Sequence, residues 1–339
     1  MLQIPGHAVE RLSGFLSRSR CLVTGGAGFI GGHIVAALLD LGATVAVIDD
    51  LSNSTLEHLG PLIEQDPERL RLVRASILDP RAVEIAMRGA EVVFHAAALC
   101  SVPRSIEDPR RTWEVNAGGT MAVLEAARRV GVRRFVYSAS SSAYGDVPGL
   151  PKRESSPVSP VSPYAASKLA GEHAVAAFAH SFGLTAVSLR YFNIIGPRQA
   201  ADSPYAGVIP AFAKRIVAGE APVIFGDGSQ TRDFTPVQNA VYANLLAATV
   251  ADPAPGLVCN IGAGERTTVS ALASRVCAAF GKPELEPEHH PARTGDVRHS
   301  QADITLAREA LGYEPFVELG ESIENTVAWY RYALGAVSH

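Results

Sequence analysis

Cysteine is scarce in this sequence, and its spacing argues against the structures that cysteine usually builds. Only four cysteines occur in 339 residues, and they are scattered at Cys21, Cys100, Cys259 and Cys277. No CxxC pair is present, and no histidine-rich spacing completes a zinc site. We therefore expect no metal centre and no disulfide framework, and we expect the protein to work in a reducing compartment.

Long apolar runs and long basic runs are also missing. Nowhere do about 18 apolar residues follow one another, which argues against a membrane-spanning helix. The first residues include charged side chains, unlike the uninterrupted apolar core of a signal peptide. With a net charge of −4, the chain has no broad basic surface for a nucleic-acid backbone. We expect a cytoplasmic protein that binds neither nucleic acid nor membrane.

Apolar residues make up 47% of the chain, enough to bury a large core in one large or two moderate domains. Six short apolar runs alternate with segments of helical periodicity and predict strands. These runs are "CLVT" (21–24), "TVAVIDD" (44–50), "RLRLVRAS" (69–76), "AEVVFHAAA" (90–98), "VRRFVYSAS" (132–140) and "TAVSLRYFN" (185–193). Repeated strand–helix units predict a parallel sheet covered on both faces, which binds ligands beyond the carboxyl ends of its strands.

A glycine-rich turn follows the first predicted strand. Gly25, Gly28 and Gly31 form a GxxGxxG pattern between that strand and a helical segment that runs to Gly42. The first glycine permits a tight turn, the second lets a pyrophosphate approach the backbone, and the third packs helix on strand. The helix N-terminus favours the same anion. Asp49, which ends the second strand, is placed to accept hydrogen bonds from a ribose diol and favours NAD over NADP.

The segment "SPYAASK" places a phenol and an ammonium four residues apart. On a helix Tyr164 and Lys168 project from one face, with small residues between them. Alone, this spacing also fits a solvated helix surface. Its setting strengthens the catalytic interpretation, because Ser140, Ser141 and Ser142 end the preceding predicted strand and can converge on the same crevice.

Seven motifs in order make the sequence from residue 20 to about 333 resemble an extended short-chain dehydrogenase/reductase of the NAD-dependent UDP-sugar epimerase branch. The motifs are "TGGAGFIG", "HAAA", "SASSSAYGD", "SPYAASK", "LRYFNIIGPRQ", "GDGSQTRDF" and "RTGDVRHSQADI". The resemblance implies a Rossmann-type doubly wound parallel sheet with a smaller C-terminal α/β substrate-binding domain. Residues 1–194 would mainly bind NAD and 195–339 mainly substrate, with the chain crossing back near 229–262. Residues 1–19 form an extension that we expect to be a short helix packed on the sheet domain.

The resemblance also implies a mechanism. Tyr164 would act as acid/base, with Lys168 and the nicotinamide cation lowering the pKa of its phenol, and Ser140 would bind the reacting hydroxyl. The sugar C4 would be oxidised transiently, passing hydride to NAD, and the 4-keto sugar would take it back on its other face. No net redox change results.

By the same resemblance, further residues are assigned to the cofactor. One of them departs from the usual pattern, because Ser76 stands where these epimerases commonly have aspartate, and we expect weaker anchoring of the adenine. The expected cofactor-binding residues are Gly25, Gly28, Phe29, Ile30, Gly31, Asp49, Asp50, Asn53, Ser54, Ser76, Ile77, Ala96, Ala97, Ala98, Tyr164, Lys168 and Tyr191.

The substrate is expected to be a UDP-sugar, with UDP-GlcNAc and UDP-GalNAc favoured. Ser300 stands where a bulky tyrosine restricts other family members to non-acetylated hexoses, whereas Cys100 replaces an expected glycine and narrows the pocket. Arginines in the last motifs would hold the diphosphate. The expected substrate-binding residues are Ser101, Ser140, Ser141, Ser142, Asn193, Gln199, Gly207, Val208, Arg232, Arg293, Asp296 and Ser300.

Other functions, within this family and outside catalysis, remain as alternatives. UDP-glucuronate or UDP-glucose 4-epimerisation is the main alternative. A 4,6-dehydratase is disfavoured because "SASSSAYGD" lacks an acidic pair, and we locate no extra groups for decarboxylation. An NAD-binding sensor without catalysis would normally lose Tyr164 or Lys168. The helices predicted at 108–130 and 164–182 are those that commonly pair in family dimers, so we expect a homodimer.

Overall fold

Strands and helices alternate along most of the protein. The computed structural model describes residues 4–200, 207–292 and 297–335. Its strands are β1 (Arg20–Thr24), β2 (Thr44–Asp49), β3 (Leu70–Arg74), β4 (Val92–His95), β5 (Arg134–Ser140), β6 (Ala186–Tyr191), β7 (Ile194–Ile195), β8 (Val223–Phe225), β9 (Thr231–Arg232), β10 (Thr235–Pro236), β11 (Leu257–Ile261), β12 (Thr267–Thr268) and β13 (Glu288–His290).

Thirteen helices lie in the described residues, with one π-helical turn at Glu114–Gly118 and one 3-10 turn at Ser141–Tyr144. They are α1 (Gly6–Leu16), α2 (Phe29–Asp40), α3 (Leu59–Gln65), α4 (Pro80–Met87), α5 (Val102–Glu107), α6 (Pro109–Trp113), α7 (Gly119–Val130), α8 (Pro163–Phe182), α9 (Val208–Val217), α10 (Val237–Thr249), α11 (Val269–Ala279), α12 (Thr305–Leu311) and α13 (Leu319–Ala333).

Seven strands form one parallel sheet in the order β11-β6-β5-β4-β1-β2-β3. The chain runs outward from β1 through β2 to β3, and then returns to β4 on the other side of β1. This reversal opens a crevice beyond the carboxyl ends of β1 and β4, where open α/β sheets bind ligands. The predicted Rossmann-type fold is confirmed, and all six predicted strands form within a few residues of their expected ends.

The two faces of the sheet are covered by different helices. On one face α2 packs against α10, eleven of whose thirteen residues are buried. The N-terminal helix α1 covers α10 with Ala8, Leu12 and Leu16 buried in the same core, as predicted for the extension. On the other face α4, α7 and α8 bury a second apolar cluster. Both faces are therefore apolar, as a parallel sheet requires.

The seventh strand was not predicted. After α9 and the short strands β8 to β10, the chain returns through α10 to the sheet, and β11 pairs with the outer edge of β6. A third apolar cluster, separate from the sheet, joins α9, α11 and α13. The segment from residue 237 to residue 261 thus packs with the sheet although it lies far into the second half of the chain.

Candidate active site

A cavity of about 450 Å³ lies beyond the carboxyl ends of the central strands. It receives residues from the glycine turn, from the ends of β4, β5 and β6, from α8, and from the chain after β8. Among the described residues none of its lining side chains is acidic. They are Phe29, Ile30, Ala96, Cys100, Val102, Ser138, Ala139, Ser140, Ser141, Ser142, Tyr144, Gly145, Lys152, Val161, Ser162, Tyr164, Ala165, Lys168, Tyr191, Phe192, Asn193, Ile194, Gln199, Arg232, Val297, His299 and Ser300.

The glycine turn has the close packing that a dinucleotide cradle requires. Gly25 has a φ of +69°, and a Cβ there would lie 2.7 Å from the Ala97 Cα. A Cβ at Gly31 would lie 2.1 Å from the Gly25 carbonyl oxygen, so only glycine permits this approach of α2 to β1. Gly28 occupies the N-cap position of α2, and as a glycine it has no side chain to accept hydrogen bonds from the first N–H groups of the helix. These N–H groups are therefore left facing the crevice.

Asp49 ends β2 beside this turn, where sequence reasoning expects it. Its Oδ2 accepts a hydrogen bond from the Ala27 N–H at 3.0 Å, and its Oδ1 accepts from the Leu51 N–H and the Ser54 hydroxyl, both at 2.9 Å. The carboxylate is thereby fixed in one orientation. It still has acceptor capacity for a ribose hydroxyl, since two ionised oxygens accept about four hydrogen bonds.

The other residues expected to hold the adenosine end are spread around Asp49. Asp50 accepts from the Ser52 N–H at 3.0 Å, and the Asn53 side chain accepts from Arg104. The Ser76 hydroxyl oxygen accepts a hydrogen bond from the Leu78 N–H at 3.2 Å. The side chain of Ile77 is buried against Gly119, and a Cβ on Gly119 would lie 2.5 Å from the Ile77 Cδ1. Only the backbone of Ile77 is therefore available to a ligand.

A buried hydrogen-bond chain holds the loop after β4. The Thr120 hydroxyl donates to the Asn116 carbonyl at 2.5 Å, so its oxygen accepts from His95 Nε2 at 2.9 Å. His95 Nδ1 then accepts from the Thr24 hydroxyl at 2.7 Å, and that oxygen accepts from the Ala97 N–H at 3.1 Å. The donors fix His95 as the neutral Nε2–H tautomer, and burial lowers the pKa of His95 to about 3. Through this chain β1 positions the loop of Ala96, Ala97 and Ala98.

Helix α8 carries Tyr164 and Lys168 in its first two turns. Ser162 caps the helix by accepting from the Ala165 N–H at 3.2 Å, and Pro163 occupies its first position. The Lys168 side chain is buried, and its Nζ lies 4.4 Å from the centroid of the Tyr137 ring. Both predicted catalytic side chains line the cavity, but the ammonium faces Tyr137.

The expected lowering of the Tyr164 pKa is not what the protein groups produce. Burial raises the pKa of Tyr164 well above its ordinary value, and Cys100 and Tyr137 act in the same direction, whereas a hydrogen bond with Ser140 opposes them. The residues alone therefore favour a neutral phenol, because desolvation outweighs the hydrogen bond.

The serines that follow β5 are arranged in a tight turn. Ser140 Oγ lies 2.8 Å from Ser142 Oγ and accepts from the Ser142 N–H at 3.2 Å. With Ser141 they line the cavity on the side of Tyr164. Tyr191 ends β6 nearby, and its hydroxyl lies 3.2 Å from Ser138 Oγ and accepts from Asn244 at 2.7 Å. Burial raises the pKa of Tyr191 to about 12, so this phenol is neutral.

The predicted substrate residues fall into three groups. Asn193, Gln199, Arg232 and Ser300 line the cavity with the serines. Outside the lining, Ser101 caps α5, and Val208 begins α9 and packs against the third apolar cluster. Gly207 lies against Gln199, whose Nε2 would be 2.8 Å from a Gly207 Cβ. Arg293 and Asp296 lie outside the described residues.

Two basic residues of the cavity, Lys152 and His299, were not predicted. Lys152 is buried, donates to the Val147 carbonyl, and has its pKa lowered by burial. His299 Nδ1 lies 3.0 Å from Thr231 Oγ1 beside Ser300. Both belong to segments joined by isolated bridges between distant parts of the chain, Lys152 to Ala302 and Thr231 to His299. The bridged residues are far apart in the sequence, and no local sequence pattern predicts their pairing.

The described residues fit NAD and offer no metal centre. The glycine cradle, the open α2 N-terminus and the Asp49 carboxylate suit the pyrophosphate and the ribose of a dinucleotide. Within the described ranges no three His, Cys, Asp or Glu side chains cluster as metal ligands. None of the helices described is both long and apolar enough to span a bilayer.

Comparisons with known proteins agree with this geometry. The family described as "NAD dependent epimerase/dehydratase" matches residues 21–262. A UDP-glucose 4-epimerase of Mycolicibacterium smegmatis is 41% identical over 92% of this chain and 98% of its own length.

Two solved structures are similar over 93% of this chain and 99% of their own. A Thermotoga maritima UDP-glucose 4-epimerase with UDP-glucose has 39% identity and a TM-score of 0.87. A Methanobrevibacter ruminantium UDP-N-acetylglucosamine 4-epimerase in complex with UDP-N-acetylmuramic acid has 36% identity and a TM-score of 0.87. This protein therefore belongs to the NAD dependent epimerase/dehydratase family, and it is an NAD-dependent enzyme.

Proposed function

We propose that the protein inverts C4 of a UDP-sugar through a transient 4-keto sugar. The observation that carries this proposal is the convergence of Tyr164, Lys168 and Ser140 in one cavity beside the glycine cradle. Such a set can move a proton at a substrate hydroxyl next to a dinucleotide ring. Similarity to the UDP-sugar 4-epimerases supports the same reaction.

The glycine cradle and Asp49 would hold NAD, which would supply a reversible hydride acceptor. Residues of the protein would transfer the proton of the C4 hydroxyl. Ser140, hydrogen-bonded to Tyr164, would hold the C4 hydroxyl against the phenol. Tyr164 would take the proton from that hydroxyl and later give it back, while Lys168 would bind a ribose hydroxyl of the cofactor and keep positive charge near the site.

The protonation state of Tyr164 would link cofactor binding to the oxidation of the sugar. Because burial raises the pKa of its phenol, the protein without cofactor keeps Tyr164 protonated. A positive charge next to the phenol favours the phenolate, so the base would form mainly when the oxidised cofactor is in place. Substrate oxidation would then be confined to the loaded enzyme.

Within this reaction we propose UDP-GlcNAc and UDP-GalNAc as the substrate pair. Ser300 lines the cavity, and its small side chain leaves room for an acetamido group. Arg232, which also lines the cavity, would bind the diphosphate. The similarity to the Methanobrevibacter enzyme supports an acetylated sugar.

UDP-glucose is the second candidate, and Cys100 favours it. The Cys100 side chain lines the cavity and hydrogen-bonds to Tyr164, at the position where an acetylated-sugar enzyme was expected to have glycine. A side chain there reduces the space next to the reacting carbon. The 41% identical relative is a UDP-glucose 4-epimerase.

One NMR assay separates the candidates. The purified enzyme with NAD is incubated with UDP-GlcNAc, UDP-glucose or UDP-glucuronate, and the anomeric proton signals report the C4 epimer. We expect the fastest conversion with UDP-GlcNAc, and Cys100→Gly should increase that rate. Faster conversion of UDP-glucose would select the second candidate, and no conversion of any of the three would overturn the proposed reaction.

We also propose a homodimer formed through the α6–α8 surface. Several large apolar side chains are exposed on this surface, among them Trp113 at 51% and Met121 at 41%. The outer face of α8 carries small side chains, including the half-buried Ala166 and Ala170 and the exposed Ala177. A flat helical surface of this composition suits packing against a second copy.

A further inference from the structure

Asp233 follows Arg232 directly and has no solvent exposure. Its Oδ1 accepts from the Ala263 N–H at 2.8 Å and the Thr235 hydroxyl at 3.3 Å. Its Oδ2 accepts from the N–H groups of Gly264 and Ala302, both at 3.1 Å. Four donors on two oxygens satisfy a carboxylate completely, which makes it costly to replace.

The three backbone donors come from two segments that are distant in sequence. Ala263 and Gly264 continue β11, the edge strand of the central sheet, while Ala302 follows Ser300. The space around the carboxylate is closed. A Cβ at Gly262 would lie 2.7 Å from Asp233 Oδ2 and 2.6 Å from the Ala302 Cβ. Asp233 therefore joins the sheet to the segment that lines the far end of the cavity.

The segments that Asp233 joins also carry Arg232 and Ser300, two residues expected to bind the substrate. Arg232 Nη1 donates to the carbonyls of Thr231 and Arg298, at 2.9 and 3.1 Å. The Ser300 N–H donates to the Thr231 carbonyl at 3.0 Å. Arg232 is thus adjacent to Asp233, and Ser300 lies two residues before Ala302, whose N–H Asp233 holds.

We propose that Asp233 is a positioning residue for nucleotide-sugar binding, holding Arg232 and Ser300 at the distance that the bound diphosphate and sugar require. This inference rests on the proposed function, since it assigns the far end of the cavity to a UDP-sugar. Burial raises the pKa of Asp233 to about 6, which still leaves a carboxylate at neutral pH. Tyr313 is the titratable neighbour, and its hydroxyl donates to the Gly262 carbonyl at 2.9 Å.

The test is UDP binding to the NAD-loaded protein, measured by calorimetry for the wild type and for Asp233→Asn. The amide keeps the shape of the side chain but turns an N–H towards backbone donors. We expect Kd for UDP to rise about tenfold, which corresponds to about 1.4 kcal/mol. Bound NAD per chain, read from absorbance, is expected to stay unchanged because the glycine cradle lies elsewhere.

Asn239 supplies a matched control. It is equally buried, accepts from the N–H groups of Phe316 and Val317 at 3.0 Å, and donates to the Val317 carbonyl at 2.9 Å. Both Asn239→Asp and Asp233→Asn are expected to lower thermal stability, but Asn239→Asp should leave Kd for UDP unchanged. A role of Asp233 in stability alone would make the two variants behave alike.

The outcomes separate this inference from the proposed function. A wild-type protein that does not bind UDP overturns both, whereas wild type and Asp233→Asn binding UDP equally overturns only the role of Asp233. If Asp233→Asn does not fold, Thr235→Val removes one donor and keeps the three backbone donors. Its Kd for UDP is expected to rise about threefold, and an unchanged Kd contradicts the proposal.

Discussion

Tyr164 is a phenol whose surroundings oppose its ionisation. The side chains that face it supply one favourable hydrogen bond, from Ser140, and the Lys168 ammonium lies against Tyr137 instead. The pair that the YxxxK spacing predicts is thus adjacent along α8 without being an ion pair. Its chemistry depends on what the cavity binds.

Replacing Tyr164 by phenylalanine tests the proton-transfer role. We expect kcat to fall about a thousandfold, in the range for a lost general acid/base, because no other phenol of the cavity is hydrogen-bonded to Ser140. Epimer formation is followed by NMR, and UDP binding serves to check that the site is intact. Tyr332→Phe, at a side chain 75% exposed on α13, is the control. Retained activity in Tyr164→Phe would remove the proposed mechanism.

His95 makes stability depend on pH. The pKa of folded His95 is lowered to about 3 from the ordinary 6.5, so the unfolded chain binds a proton first as the pH falls. Stability should therefore be lost between about pH 6.5 and pH 3, by about 1.4 kcal/mol per pH unit for this residue. His33, whose pKa is lowered to about 4, acts in the same direction.

Urea unfolding at several pH values checks this expectation. In His95→Gln the loss of stability between pH 7 and pH 5 should be smaller than in the wild type, with the share of His33 remaining. His173→Gln, at an exposed position on α8, should keep the wild-type dependence. Equal slopes for wild type and His95→Gln would contradict the buried neutral imidazole.

Single residues were predictable where a local pattern defines them. The glycines, Asp49, Tyr164 and Lys168 occupy the places that their strand–turn–helix setting predicts. Lys152 and His299 were missed because tertiary bridges between distant segments bring them to the cavity. Asp233 was overlooked inside a motif interpreted through Arg232, since nothing in the sequence distinguishes a buried carboxylate from an exposed one. The protein groups raise the pKa of Tyr164 because burial outweighs its hydrogen bond with Ser140. The lowering expected from Lys168 together with the nicotinamide cation stays a prediction for the enzyme with bound cofactor.

Helix α8 is tied to β6 by a buried ion pair. Arg190 donates two hydrogen bonds to Glu172, at 2.9 and 2.6 Å, and the two side chains are 6% and 4% exposed. The guanidinium also lies over the Tyr144 ring, 4.8 Å from its centroid. This pair holds the helix that carries Tyr164 against the strand that carries Tyr191.

Breaking this pair should destabilise the protein strongly. Glu172→Gln leaves the Arg190 charge buried without its partner, and we expect a loss of about 3–5 kcal/mol in the free energy of unfolding. Arg110 and Glu114 form an exposed pair at 3.2 Å, and Glu114→Gln should cost less than about 1 kcal/mol. Urea unfolding of both variants measures the difference, and similar small losses would show that the buried pair adds little.

Most elements follow from periodicity, but β11 does not. Its sequence "LVCNI" is a run of five residues with a buried asparagine, too short to tell a strand from a loop. Asn260 is accommodated because its side chain accepts from the Tyr144 hydroxyl at 2.7 Å and donates to the Lys152 carbonyl at 2.9 Å. Those partners lie more than 100 residues away, beyond what a sequence window can contain.

The proposed dimer is a property of the whole molecule, and two substitutions test it. Trp113→Glu and Met121→Glu place charge on the α6–α8 surface without touching the core, and we expect either to shift the protein from dimer to monomer. Light scattering during gel filtration gives the mass. Tyr332→Glu, on exposed α13, should leave the dimer intact. A monomeric wild type would contradict the proposed assembly.

The late arrival of β11 at the sheet has a consequence for biosynthesis. Until residue 249 leaves the ribosome, the face that α10 covers is bare, and until residue 261 leaves it, the outer edge of β6 lacks the strand that pairs with it. An unpaired strand edge invites pairing with other chains. Most of the polypeptide must therefore be translated before the central sheet is complete, and a chain ending after β6 would leave this edge of the sheet unpaired.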